Sequence, residues 1–165
     1  ALIQKIGENI MPRRASSIEA PMIGSYLHSN NKIGVLVGMR GDDPELAQNV
    51  AMHIAAVNPV VVESKDMPPE VLAAEEKIYA AKANETGKPE KIIEKMVSGR
   101  INKFLKENSL MDQPFVKDGD ITIGDLVKKN NSEILCFERF EVGEGIQVDE
   151  VDFAAEVAEQ LKSAT

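Results

Sequence analysis

Tryptophan is absent from this 165-residue sequence, and aromatic residues make up only 4% of it. A core must therefore rest on Ile, Val, Leu, Met and Ala, which a hydrophobic content of 43% can supply. The length allows one ordinary domain, or a domain with an appendage. A single cysteine, Cys136, leaves no disulfide possible within the chain. That points to a reducing compartment, the cytoplasm. No apolar run approaches the roughly 18 residues of a membrane-spanning helix, and no charged-then-apolar leader stands at the start, so no membrane is expected as a partner. Basic side chains number 19 against 27 acidic ones, a net charge of −8. This balance argues against nucleic acid as the main partner, because neutralising phosphates takes clustered Lys and Arg. The chain opens inside ALIQKIGEN, which already reads as helical, as expected of a fragment of a longer protein.

Signatures of chemistry are missing too. His28 and His53 stand far apart, and neither has a second ligand at a zinc-like spacing. His53 lies in an apolar helical stripe and reads as a structural histidine at a sheet–helix interface. Cys136 reads as a small buried apolar residue sharing a strand face with Ile134 and Phe140. Gly143-Glu144-Gly145 lacks the third glycine and the strand–helix turn of a dinucleotide site. Asp118-Gly-Asp120 fails as a calcium loop, because the twelfth position from Asp118 is Lys129 rather than Glu. The acidic pairs Asp42-Asp43 and Glu75-Glu76 fall at a helix cap and on a solvated helix face. No catalytic residue, metal site or cofactor is expected, and the chain does not read as an enzyme.

What is present is a pattern of elements. Met22–Gly38 reads as a β-hairpin around Ser29-Asn30-Asn31-Lys32, where Asn tolerates the left-handed turn. In its second arm Ile33, Val35, Val37 and Met39 form a bulky face, and Gly34, Leu36 and Gly38 a mostly bare one, which lets another backbone or a helix come close and on which a helix is expected to sit. His28 ends the first arm. Beside an exposed loop it has no core duty, and two readings stay open: a contact residue or an ordinary surface residue. Arg13–Ala20 reads as a further strand. Asp43 as N-cap, Pro44 at the first position and Glu45 begin a helix that presents Leu46, Val50, His53 and Val57, and ends at Asn58-Pro59. After a linker, Glu70–Thr86 and Glu90–Glu107 read as two helices joined by Gly87-Lys88-Pro89. The short connection implies an antiparallel hairpin with a coiled-coil-like seam. A turn at Lys117–Asp120, a short helix over Ile121–Asn130 and a strand over Ser132–Val142 return the chain to the sheet. A last helix, Val151–Lys162, spaces Phe153, Val157 and Leu161 by four. The fold expected is α+β: a small antiparallel sheet flanked by helices, a protruding helical hairpin and a C-terminal helix.

Several stretches together carry a resemblance: KIGENI at Lys5–Ile10 with Arg13-Arg14, GSYLH at Gly24–His28, IGVLV at Ile33–Val37 and AMHIAA at Ala51–Ala56. EKMVSGRINKF at Glu94–Phe104, QPFV at Gln113–Val116, RFEVGEGI at Arg139–Ile146 and DFAAEVA at Asp152–Ala158 extend it along the whole chain. The sequence resembles the C-terminal two-thirds of bacterial elongation factor Ts, the guanine-nucleotide exchange factor for elongation factor Tu. The resemblance implies four parts. Residues 1–9 would be a remnant helix of a core N-subdomain, and 10–62 with 109–147 a core C-subdomain. Residues 63–108 would be a helical-hairpin dimerisation domain, through which a homodimer can form, and 148–165 a C-terminal module. It also implies partner-binding residues. His28 would meet the third domain of elongation factor Tu. Ile6 and Gly7, and the C-terminal module with Phe153 and Val157, would meet its G domain.

One departure matters. The family opens its partner's nucleotide site with a Thr-Asp-Phe-Val element, and no such sequence occurs among these 165 residues. The resemblance then implies a chain that binds elongation factor Tu more weakly than the full factor and releases GDP poorly. The alternative is an oligomerisation module acting through the 63–108 hairpin.

Overall fold

A computed structural model describes residues 2–7 and 13–145 of the protein. The expected C-terminal helix, with Phe153 and Val157, lies outside them. In chain order the elements are α1 (Leu2–Ile6), β1 (Met22–Leu27), β2 (Ile33–Arg40), α2 (Pro44–Val57), α3 (Pro69–Asn84) and α4 (Glu90–Asn108). There follow β3 (Pro114–Phe115), β4 (Asp118–Thr122), α5 (Ile123–Lys129) and β5 (Glu133–Glu141). The architecture is α+β, with helices flanking a small antiparallel sheet.

The hairpin forms as its sequence dictates. β1 pairs with β2 from Met22 opposite Met39 to Leu27 opposite Gly34. The loop closes with a 2.9 Å bond from the His28 amide to the Ile33 carbonyl, and Asn31 takes the left-handed conformation at φ 56°. β5 adds antiparallel on the far side of β2, giving the order β1-β2-β5. Arg13–Ala20 forms no strand. Ile18 Cγ2 and Ala20 Cβ lie over Gly38, so this segment runs across the outer face of the central strand instead of joining an edge.

A bulge corrects the reading of β5. Gly38 pairs with Cys136 but Met39 pairs with Ile134, which leaves Leu135 as an extra residue. One inserted residue reverses which face the side chains take. Ile134 is therefore buried with Met39 in the core, whereas Cys136 and Phe140 share the outer face with Gly38 and Gly34. Cys136 is only partly buried there. Phe137 packs against the core.

α2 begins as predicted: Asp43 caps it by accepting from the Leu46 amide at 3.0 Å, and Asn58 ends it at φ 53°. Its buried stripe is Leu46, Ala47, Val50, Ala51, His53, Ile54 and Ala55. Val57, read as part of that stripe, is 42% exposed at the helix end. The stripe lies on the bulky face of β2, with Val37, Met39, Val50 and Ile54 fully buried. Burying each such side chain contributes about 1.5–3 kcal/mol. No described helix covers Gly34 or Gly38, so the expected role of those glycines is not the one they fill. The glycine that admits the helix is Gly24 of β1, where an added Cβ would come 2.9 Å from Ala47 Cβ and closer still to the Ala47 carbonyl.

α3 and α4 form the antiparallel hairpin. Pro69 and Pro89 stand at the helix starts, and Gly87, at φ 65°, turns the chain between them. The excursion leaves and rejoins the core at one place. Val61 pairs with Ser109, the Leu110 amide donates to the Val61 carbonyl at 2.9 Å, and the Met111 amide donates to that of Val62 at 3.0 Å. Ser64 Oγ, 2.9 Å from Ser109 Oγ and 2.6 Å from Asp112 Oδ2, pins the same root. Beyond it, β3 and β4 make a small hairpin that turns at Val116-Lys117, earlier than the Lys117–Asp120 turn read from the sequence. Ile123 and Val127 of α5 then face inward.

Alanine at the two glycines should separate their roles. Gly24→Ala should lower stability by about 1–3 kcal/mol in urea denaturation, because backbone as well as side chain must move. Gly34→Ala meets only Leu27 Cδ1 at 4.0 Å and should change stability by less than about 0.5 kcal/mol. Equal effects at both positions would contradict the assigned packing.

Candidate partner-binding site

His28 stands where β1 ends, and its surroundings hold it still. Besides the bond to Ile33, its carbonyl accepts from the Asn31 amide at 2.8 Å, and Asn30 Oδ1 accepts from the Lys32 amide at 2.9 Å. The loop is therefore internally bonded, and the histidine backbone has little freedom. Two residues back on the same strand face, the Tyr26 hydroxyl lies 3.2 Å from His28 Nδ1, with the rings tilted at 47°. Hydroxyl and Nδ1 can each donate to the other, so this bond occupies Nδ1 in either tautomer. Nε2 is then the ring nitrogen left to offer to a partner, as donor or as acceptor.

Next to this ring is a shallow hollow of about 230 Å³, lined by Tyr26, His28, Ile33, Met52, Ala55 and Ala56. Its far wall is the C-terminal half of α2, whose small alanines leave the space open. An apolar floor with one polar group at the rim suits a protein side chain better than a reacting group. Of the hollow's residues, only His28 was singled out in the sequence as a site. Tyr26 was legible in principle, since i and i+2 share a strand face. Met52, Ala55 and Ala56 were not, because nothing in their residue types distinguishes a wall from a core.

Ile6 and Gly7 do not line this hollow. Ile6 ends α1 and is 51% exposed, an unusual position for so apolar a side chain. Gly7 follows at φ 78°, the left-handed geometry that ends a helix. Phe153 and Val157 lie outside the described residues. The structure thus places His28 at the rim of a hollow and leaves Ile6 as an exposed apolar residue elsewhere.

His53 is a different case. It is fully buried, Nδ1 accepts from the Val116 amide at 3.2 Å, and Nε2 lies 3.0 Å from Gln113 Oε1. Both ring nitrogens are thereby satisfied in the neutral form, with Nε2–H donating. Gln113, also buried, passes its own amide to the Glu107 carbonyl at 2.6 Å. Burial pushes the His53 pKa below its ordinary value, although the Gln113 bond acts the other way. This histidine fastens the β3–β4 hairpin to α2, the structural role read for it.

The helical hairpin offers a further surface. Only Ala83 of α3 and α4 is buried, and Ile78 and Ile92 are 46% and 45% exposed. One side carries a groove of about 570 Å³ whose apolar residues include Leu72, Ile93, Val97 and Ile101, rimmed by Glu76, Glu90 and Glu94. The other side carries Tyr79 and Met96 beside Lys82 and Arg100. Among the described residues no group of three or more His, Cys, Asp or Glu could hold a metal ion. None of the described helices is long and apolar enough to cross a membrane.

Fold and surface together define a class: a helix-backed sheet that presents an ordered histidine at an apolar hollow and projects a pair of helices. Comparison with known proteins narrows it. The family described as Elongation factor TS matches residues 1–144. Elongation factor Ts of Teredinibacter turnerae is 59% identical over 167 residues, covering 99% of this chain and 57% of that protein. Elongation factor Ts of Hahella chejuensis is 57% identical over 162 residues, with 98% and 57% covered. That of Saccharophagus degradans is 57% identical over 166 residues, with 99% and 57% covered. The chain belongs to the elongation factor Ts family, and it spans a little over half the length of these relatives.

The buried histidine makes stability depend on pH. An unfolded His53 takes up its proton near 6.5 and the folded one only at lower pH. Between those values the unfolded state binds more protons, so this contribution is full above the unfolded pKa and is lost as pH falls from there through the folded pKa. Urea midpoints should therefore decline as pH falls below about 6.5. In His53→Gln, which keeps a polar side chain but cannot titrate, the decline should be shallower. An unchanged slope would exclude His53 as its source.

Proposed function

We propose that this chain is the partner-binding portion of a guanine-nucleotide exchange factor that binds elongation factor Tu and promotes release of GDP. The observation that carries this is its match to elongation factor Ts over nearly its whole length. The ordered, outward-facing site at His28 supports it. In this reading His28 meets the third domain of elongation factor Tu. Ile6 and Gly7 meet the G domain, as does the C-terminal module with Phe153 and Val157. Residues 10–62 and 109–147 form the C-subdomain that carries His28, and residues 1–9 end the N-subdomain. The protein acts in the cytoplasm, on protein and not on nucleic acid or membrane. It makes and breaks no covalent bond.

The physics of such a factor is linkage. Nucleotide and exchange factor each weaken the other's binding to their common partner by the same coupling free energy. A factor that favours the nucleotide-free partner must lose affinity when nucleotide returns. The grip through His28 gives affinity and orientation, and disruption of the nucleotide site needs differential contacts there.

A second reading rests on the exposed apolar residues of α3 and α4, Ile78 and Ile92 among them. Here residues 63–108 are a separate module through which two copies associate. The adjoining ends at Val61 and Ser109 make its removal feasible. Sedimentation of the chain with and without 63–108 decides: self-association lost on deletion supports the module, and monomers in both cases remove it.

For the first reading, titration calorimetry against nucleotide-free elongation factor Tu should detect binding. His28→Ala should weaken it about 5- to 10-fold, or about 1–1.4 kcal/mol. Unchanged affinity would remove His28 from the interface. In a GDP-release assay this 165-residue chain should accelerate release far less than a chain carrying the Thr-Asp-Phe-Val element.

A further inference from the structure

Two motifs remain without a role in this account: Arg13-Arg14, and Gly143-Glu144-Gly145. The structure brings them together across the chain. Arg14 Nη2 lies 2.7 Å from Glu144 Oε2. The same guanidinium sits 4.8 Å above the centre of the Phe140 ring. The Arg13 guanidinium donates to the main-chain carbonyl of Glu144. Each arginine thus holds a different atom of one residue, and Phe140 supplies a flat apolar seat for the second.

The turn is built to present that residue. Gly143 has φ 88° and Gly145 φ 68°, a conformation that side chains resist. The glycines, which made no dinucleotide site, bend the chain on both sides of a single carboxylate. Arg14, and to a lesser degree Arg139, holds that carboxyl below its ordinary pKa against some desolvation. Arg139 has a side chain only 8% exposed and is paired with Glu141 at 2.7 Å. Residues 13–20 are fixed a second time where Ile18 and Ala20 cover Gly38.

This position in the chain gives the contact a use. Upstream of Arg13 lie Ile6 and Gly7, and downstream of Glu144 lie Phe153 and Val157. These are the two groups assigned above to the G domain. We infer that Arg14 and Glu144 are positioning residues for partner binding: their contact holds residues 13–20, which follow Ile6 and Gly7 in the chain, against the turn at 143–145, which precedes Phe153 and Val157. The inference rests on the proposed function. Two contacts tied at a common point lose less freedom on binding than two independent ones, so the second forms at a high effective concentration.

The experiment is a charge-swap cycle on the whole chain, read by titration calorimetry against nucleotide-free elongation factor Tu. Arg14→Glu and Glu144→Arg should each weaken binding about 5-fold or more. The double variant should recover most of the loss, while thermal midpoints stay near that of the parent chain. Hydrogen exchange of the free chain should show the Val142 and Glu144 amides, bonded to the Lys32 and Glu141 carbonyls, losing protection in both single variants and regaining it in the double. Parent-like affinity in both single variants overturns this inference and leaves the proposed function standing. Weakened single variants without rescue also overturn it, because they mean that Arg14 touches the partner itself. A parent chain that does not bind overturns the proposed function, and this inference with it.

Discussion

The close seating of α2 on the sheet is the constraint on which the rest of this structure depends. A helix can lie this near a strand only where the strand offers no side chain, and Gly24 makes that opening opposite Ala47. With the backbone of α2 drawn in, Val50 and Ile54 reach Val37 and Met39 and are fully buried. A core with no Trp has no large ring to span a wider gap. It must therefore gain by closeness what it lacks in side-chain volume, since packing attraction falls away within about an ångström of separation. The same closeness brings Met52, Ala55 and Ala56 up beside His28. The candidate site is thus a consequence of how the core is packed.

The second tie is polar. Beyond the sheet, the chain from Gln113 to Val116 must be fastened to α2, and it has Phe115 as its main apolar anchor. His53 and Gln113 complete the join, with both imidazole nitrogens and the glutamine amide paired inside the core. A buried imidazole is tolerable only while neutral and fully bonded. This explains how a histidine can sit in an apolar stripe without being a ligand or a base. The chain's two histidines thus differ by environment alone: one has both nitrogens satisfied within the protein, and the other has one nitrogen left to offer.

Much of this was legible in the sequence, and the misses have physical causes. The β1–β2 hairpin, α2 with its Asp43 cap and the α3–α4 pair were read within a residue or two, because period, caps and prolines are local signals. The bulge at Leu135 was not, since a single inserted residue leaves no compositional mark while reversing the faces of Ile134 and Cys136. Arg13–Ala20 was read as a strand from its local residue types, but whether such a segment joins a sheet depends on distant partners. Of the candidate site, His28 was legible from its place beside a loop. Its walls were not, because small and apolar residues look alike whether they line a hollow or fill a core.

The distribution of these features bears on what kind of work the chain can do. The strong packing lies between α2 and the sheet, and the polar groups there are satisfied. Groups with bonding capacity or apolar area to spare are placed at the edge: the His28 ring, the Ile6 side chain and the flanks of α3 and α4. Catalysis of a covalent step would need reactive groups held together in a sheltered place. Binding a large partner needs the opposite, with contacts spread over a rigid frame so that the geometry between them is fixed. A frame of this kind acts on its partner by preferring one of the partner's conformations, and its rigidity limits how much preference it can impose. In the proposed exchange factor the tightness of the α2–sheet core would then be functional as well as stabilising. If α2 could move, the hollow at His28 would adapt to either state of a partner and discriminate between neither.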